Sequence, residues 1–224
     1  VGEVHFRDRT LKGFDKIGLF KESKSEKIVG FTGFKFDKTK IPSTGKEVNI
    51  VYGGQMFVEK EYRGRSFIHS FVIKEIFLYR LKHPFKKLIA WGYCISHKSY
   101  ILTQHIFSDF FPHPDKEMPL EEKTLLDHLG RERYGELYNP ETGTIHKKQK
   151  QLKDHEIKFT ENDLENKTLN FFVTRNPGYQ DGHGLLCYWP ASLKNFLGII
   201  RHLIKRKFKA KKRKSKTSSK HKKH

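Results

Sequence analysis

Around residue 60 the spacing of apolar residues changes period, and this change restricts the fold more than any other feature of the chain. Upstream, residues 47–59 (EVNIVYGGQMFVE) form a strand-like apolar run with Gly53-Gly54 inside it. A short basic turn follows, Tyr62-Arg63-Gly64-Arg65-Ser66. Downstream, Phe67, Ile68, Phe71, Val72, Ile76 and Tyr79 recur at helical spacing until Pro84, which cannot continue a helix. A strand that turns directly into an amphipathic helix needs a sheet for that helix to cover. The class is therefore α/β.

The remaining segments extend this pattern. Residues 14–23 and 27–36 read as a hairpin around a polar turn. The glycine pair at 53–54 predicts a bulge or a close backbone approach. Residues 86–96 (KKLIAWGYCIS) are nearly continuous in apolar residues, as a strand buried on both faces would be. Ser96 is placed to cap a short helix over 96–107. Residues 120–137 predict a surface helix with Leu125, Leu126 and Leu129 inward, and 139–143 a turn. Residues 169–174 (LNFFVT) and 184–189 (GLLCYW) read as strands around the loop NPGYQDGHG, whose composition is that of turns. The expected division is a domain over 1–190 with an extension at 116–190. An amphipathic basic helix at 191–208 and a disordered Lys/Arg-rich tail at 209–224 follow.

Charge is unevenly spread. The 224 residues carry a formal net charge of +20, but 201–224 hold 13 Lys/Arg and no Asp or Glu. Residues 1–200 are then left with 32 basic and 25 acidic residues, net +7. The tail supplies most of the field. No run of 18 apolar residues occurs, so no ordinary transmembrane helix is expected, nor is a signal peptide. A cytoplasmic protein, peripheral at a membrane if its tail engages one, is the expectation. Cys94 and Cys187 lie in apolar runs and are expected to be free thiols. His97, His105 and His113 lack a ligand spacing, so no metal is expected. Nucleophile-elbow, Walker and dinucleotide fingerprints are absent from the sequence.

The basic turn has its own chemistry. A helix start leaves backbone N–H groups unpaired and carries partial positive charge, and a glycine before it lets a ligand approach the backbone. Arg63 and Arg65 add fixed charge, so the turn suits a pyrophosphate. A plain strand-to-helix connection has the same composition. Across residues 14–111 the order of elements, with Phe57-Val58-Glu59-Lys60-Glu61-Tyr62-Arg63-Gly64-Arg65-Ser66-Phe67-Ile68, resembles the GNAT superfamily of N-acetyltransferases, in a bacterial-type member. The resemblance implies a mixed, mostly antiparallel sheet with flanking helices, plus a C-terminal extension. It implies acetyl-CoA or another acyl-CoA as co-substrate, with its pyrophosphate on the backbone of 63–68. Phe57, Val58, Arg63, Gly64, Arg65, Ser66 and Phe67 would be its binding residues. The family pattern has small residues where Ser66 and Ile68 stand. The fold's usual first strand and first helices have no room in 1–13, and the chain begins with Val1, so a preceding segment is expected.

The resemblance also implies direct attack of an amine on the thioester, with a carboxylate taking a proton and a tyrosine returning one to the thiolate. Glu59 or Glu61 is the candidate base, and Tyr100 the candidate acid. Each has a plainer reading: the glutamates as a solvated pair beside Lys60, the tyrosine as core packing. The acceptor would be an amine, on a small molecule or a protein. A domain of this fold that binds without catalysing is the alternative.

At the C-terminus, Leu193, Phe196, Leu197, Ile200, Leu203, Ile204 and Phe208 share a helical stripe, with Lys and Arg opposite. That pattern suits either docking on the core or contact of 192–214 with an anionic membrane. Nucleic acid is a second, less favoured partner, held through phosphates.

Overall fold

The computed structural model describes residues 13–63, 67–146, 159–202 and 204–205. Three strands open the fold: β1 (Lys16–Lys21), β2 (Ile28–Lys40) and β3 (Glu47–Val58). They form an antiparallel meander. A single 3-10 turn, Lys60–Tyr62, precedes α1 (Phe67–Lys82). The chain crosses over the sheet through α1, so β4 (Leu88–Cys94) returns parallel to β3. Next is α2 (His97–Ile106), whose cap Ser96 accepts a hydrogen bond from the Ser99 N–H, as its position predicts.

The helix α3 (Leu120–Tyr134) leads into a small hairpin of β5 (Tyr138–Asn139) and β6 (Thr144–Ile145). Two helices, α4 (Glu161–Leu164) and α5 (Lys167–Arg175), precede β7 (Gly184–Pro190). A last helix, α6, covers 193–202 and continues at 204–205. The seven strands make one sheet in the order β1-β2-β3-β4-β7-β6-β5, antiparallel everywhere except between β3 and β4. This is the mixed, mostly antiparallel sheet with flanking helices that the sequence leads one to expect. Among the described residues, no helix is long and apolar enough to cross a membrane.

Alternation along the strands assigns the two faces. Val48, Ile50 and Tyr52 of β3, with Ile89 and Trp91 of β4, pack under Leu125, Leu126 and Leu129 of α3. Val51 and Leu88 point the other way and meet Phe71, Val72, Ile76 and Tyr79 of α1. On that second face, Cys94, Leu185 and Cys187 lie under Tyr100 of α2 and Phe172 of α5. Both thiols are buried and free. With helices on both faces, β4 has little exposed surface, which explains its near-continuous apolar sequence.

One expectation changes and one is settled. Residues 169–174 belong to α5 rather than to a strand. Asn166 caps this helix, accepting from the Thr168 and Leu169 N–H groups, and Leu169 and Phe172 bury at helical spacing. A six-residue apolar run does not by itself separate the two periods. At Gly53-Gly54 the close backbone approach is found, toward Gly92, and the bulge falls later. Phe31 pairs with Phe57 and Gly33 with Gly54, so Gln55 and Met56 together oppose Thr32.

The N-terminal half of the amphipathic segment docks on the core. Asn195, 1% exposed, clasps the start of α6 to the sheet. Its side chain accepts from the Asp109 N–H at 2.8 Å and donates to the Asp109 and Pro190 carbonyls at 2.7 and 2.8 Å. Lys194 pairs with the Asp109 carboxylate at 3.0 Å. Residues 206–224, including the predicted tail at 209–224, lie outside the described residues.

Leu129 is 1% exposed at the centre of the α3 face. Truncation to alanine leaves a cavity, and Leu129→Ala should lose about 2–5 kcal/mol in urea unfolding. A pH effect is expected at the β6–β7 junction. His146 and His183 stack there with ring centroids 4.1 Å apart and planes 9° apart. Burial first, and then the neighbouring His146, hold the His183 pKa below its ordinary value. The unfolded chain takes up that proton first, so stability should fall as pH drops through about 6.5. Urea midpoints on either side of that pH should differ, and His183→Gln should reduce the difference.

Candidate functional site

The parallel pairing of β3 with β4 is short. It runs from Asn49–Leu88 to Tyr52–Trp91 and ends there. β3 continues to Val58 along β2, and β4 continues to Cys94 along β7. Each strand keeps its outer neighbour while β4 supplies no ladder partner to β3 beyond Tyr52. The sheet thus parts at its centre. Gly53 and Gly92 stand at the parting point: a Cβ on Gly92 would lie 3.0 Å from the Gly53 carbonyl oxygen, tighter than ordinary packing.

Several buried polar groups of the central strands have no hydrogen-bond partner among the described residues, the Asn49 side chain and the Trp189 indole N–H among them. The Trp91 indole N–H and the Thr32 hydroxyl, opposite the β3 bulge, belong to the same set. A buried unpaired group of this kind is uncommon in a finished core. On the face covered by α3, aromatic side chains gather beside the parting. Tyr52 lies 4.8 Å from Trp91 between ring centroids, and Tyr93 meets Tyr134 edge-on at 6.0 Å. The Tyr52 and Tyr134 hydroxyls are 2.9 Å apart and share a hydrogen bond. The Arg133 guanidinium sits 3.7 Å over the Tyr52 ring. Burial, followed by the influence of Tyr52, pushes the Tyr134 hydroxyl pKa far up, so it stays protonated.

The residues singled out from sequence are distributed as follows. Phe57 and Val58 end β3, where Phe57 is half exposed and stacks on Phe31. Arg63 folds back so that its Nε donates to the Val58 carbonyl at 3.2 Å, which holds an exposed guanidinium at the end of β3. Phe67 opens α1 and packs on Phe20 at 4.8 Å. Ile68 is buried, so its bulk is turned into the protein. Gly64, Arg65 and Ser66 lie outside the described residues.

The candidate catalytic groups stand elsewhere. Glu59 is on the β2 side of β3: its N–H donates to the Val29 carbonyl, and its carboxylate pairs with Lys27 at 3.0 Å. Glu61 is exposed in the 3-10 turn. Tyr100 is fully buried among Phe110, Phe171 and Phe172. Its hydroxyl donates to the Pro112 carbonyl at 2.7 Å, and burial pushes its pKa far up. It is in the core of the α2 side, as its plainer reading expects.

Sequence reasoning passed over Tyr52, Trp91, Tyr93, Arg133 and Tyr134. The available signal was aromatic residues with polar atoms inside otherwise aliphatic strands. A separate cleft of about 180 Å³ opens between α3 and the β5–β6 hairpin, lined by Lys116, Lys123, Asp127, Tyr138 and Arg175. It does not reach the parting of β3 and β4. No group of three His, Cys, Asp or Glu side chains suited to a metal ion occurs among the described residues.

Tyr100→Phe should cost about 1–2 kcal/mol by leaving the buried Pro112 carbonyl unpaired, read by urea unfolding.

No protein-family model and no curated protein matches this sequence. Among solved structures, a tetramutant of the BH1408 protein from Bacillus halodurans is similar at 17% identity, over 54% of this chain and 75% of that one, with a TM-score of 0.37. AtaT complexed with acetyl-methionyl-tRNAfMet is similar at 11% identity, over 48% of this chain and 69% of that one, also with a TM-score of 0.37. Likenesses this loose carry no function across.

Proposed function

We propose that the chain is an acyl-CoA-dependent N-acyltransferase of GNAT type, acting at the parting of β3 and β4. The observation that carries the reading is the inner edge of β3 from Gly53 to Val58, which has no ladder partner among the described residues, beside a parallel strand that stops pairing at Tyr52–Trp91. An extended amide-bearing ligand fits such an edge, because it completes the ladder that β4 leaves open. The pantetheine arm of coenzyme A is a ligand of this kind. Gly53 and Gly92 keep the entrance narrow and free of side chains. The unpaired Trp91 indole N–H is a donor with no other use among the described residues.

Coenzyme A supplies the activated acyl thioester. The chain's own residues orient it and handle protons. Arg63, anchored on the Val58 carbonyl, brings positive charge to the end of β3 where the pyrophosphate would lie, and the 64–66 backbone is proposed to complete that cradle. Backbone N–H groups of the bulged strand polarise the thioester carbonyl. The Tyr134 hydroxyl, kept protonated by burial and hydrogen-bonded to the Tyr52 hydroxyl, stands beside the aromatic wall of Trp91 and Tyr93. As a neutral hydroxyl it can donate a hydrogen bond to the leaving thiolate, whereas the Tyr100 hydroxyl is already given to the Pro112 carbonyl; the thiolate takes its proton from solvent. Glu61, exposed near the end of β3, is the carboxylate left to take a proton from the amine, since Glu59 is held by Lys27.

A second reading, a domain that holds the ligand without transferring its acyl group, draws on the burial of Tyr100 and the Lys27–Glu59 pair. Calorimetry with acetyl-CoA and longer acyl-CoAs tests the binding that both readings share, and free thiol release with amine acceptors separates them. Gly92→Ala, whose methyl would press on the Gly53 carbonyl, is expected to weaken binding by about tenfold or more, roughly 1.4 kcal/mol, with urea unfolding run beside it to separate lost binding from lost stability. Arg63→Glu should weaken it further at low salt than at high. Failure of the wild-type chain to bind any acyl-CoA would remove the proposal.

A further inference from the structure

The stripe of apolar residues on α6 is divided by the fold. Phe196 and Ile199 turn inward: Phe196 meets Phe77 of α1 at 6.2 Å, and Ile199 is buried. Leu193, Leu197, Ile200 and Ile204 turn outward, 83, 53, 48 and 48% exposed. Their spacing of i, i+4, i+7 and i+11 aligns them in a single row along the helix. On α1, Phe77 is half exposed at its contact with Phe196, and Leu81, one turn further on the same side, is 60% exposed. Through the Phe77–Phe196 contact, α1 adds exposed apolar side chains near α6.

Positive charge flanks the row. Arg201 and Lys205 are exposed on the adjoining arc of α6, where Lys194, earlier on the same arc, is already paired with Asp109. From Ala191 to the C-terminus the sequence has no carboxylate side chain. Within 67–87 the one carboxylate is Glu75, which is buried and paired with Lys16 at 2.6 Å. Past Lys205 the chain adds Lys and Arg without any acid.

We infer that this face of α6, with Phe77 and Leu81 of α1, docks on an anionic lipid bilayer. The aliphatic row enters the headgroup boundary while Arg201, Lys205 and the basic C-terminal segment meet lipid phosphates and carboxylates. Duplex nucleic acid would use the charge but not the aliphatic row, and 193–202 offers it no exposed aromatic for stacking apart from the packed Phe196. A second copy of the chain would bring two basic C-termini together. The inference does not depend on the acyltransferase reading.

The full-length chain is sedimented with vesicles of phosphatidylcholine alone and of phosphatidylcholine with phosphatidylserine. Duplex DNA binding is followed by anisotropy at the same ionic strength. The wild type should partition onto the phosphatidylserine vesicles, and Leu197→Ser with Ile204→Ser should lower that partitioning by about tenfold or more. DNA binding and the thermal melt of the double variant should not change, since both side chains are exposed. In Leu197→Trp, emission should shift to the blue on these vesicles. The inference is overturned if the wild type does not bind them, if the double variant binds like wild type, if DNA is preferred, or if the tryptophan emission does not move.

Discussion

The short parallel contact between β3 and β4 is the constraint on which the rest of the structure depends. Four residue pairs join the two halves of the sheet, from Asn49–Leu88 to Tyr52–Trp91. One side is the β1–β3 meander, and the other is β4 with β7, β6 and β5. Each half has its own antiparallel ladder, which lets the strands part beyond Tyr52 without loss of their outer hydrogen bonds. The buried faces hold the contact together. Ile50, Tyr52, Ile89 and Trp91 share one cluster with the α3 leucines, and Val51 and Leu88 share another with α1. The stretch of β3 with no inner ladder partner among the described residues, its bulge and the Trp91 indole, likewise without a described partner, lie at the end of this contact, which is why the proposed chemistry is placed there.

The same architecture determines what becomes of the C-terminal helix. Asp109 ends the α2 region and lies where Lys116 and Lys194 converge on it at 3.0 Å each. Burial alone would raise its pKa, but these two lysines outweigh burial and keep it below the ordinary carboxylate range. Asn195 bonds the Asp109 backbone on both sides. With α6 clasped at that point, its rotation about its own axis is set. Phe196 and Ile199 are committed to the core, and the row from Leu193 to Ile204 is left outside.

Much of the fold was legible in the sequence because hydrophobic period, caps and turns are local. The strands at 47–59 and 86–96, the helix after residue 66, the Ser96 cap and the inward leucines of α3 all follow from spacing and residue type. Residues 169–174 did not, because LNFFVT is too short to show a period and its cap, Asn166, lies outside the apolar run. Of the two readings of Gly53-Gly54, the close backbone approach holds, at Gly92, while the bulge falls at Gln55–Met56, because a bulge is a relation between two strands and its place depends on how β2 pairs. The candidate site was less legible still. Tyr52 and Tyr134 are 82 residues apart, and nothing near either one announces the hydrogen bond between them.

By itself the sequence determined the mixed α/β class, the order of the elements up to α3, the free cysteines and the strongly basic C-terminus, since each rests on composition or short-range spacing. Tertiary structure alone decided which side of each element faces what. It put Tyr100 into the core with its hydroxyl on the Pro112 carbonyl, and Glu59 against Lys27 on the far side of β3. It parted β3 from β4 at Gly53 and Gly92, and split one apolar stripe of α6 into a docked half and an exposed half. These outcomes depend on pairing and packing between residues far apart in the chain. Local physical chemistry limits such choices, but only the assembled sheet and its helices make them.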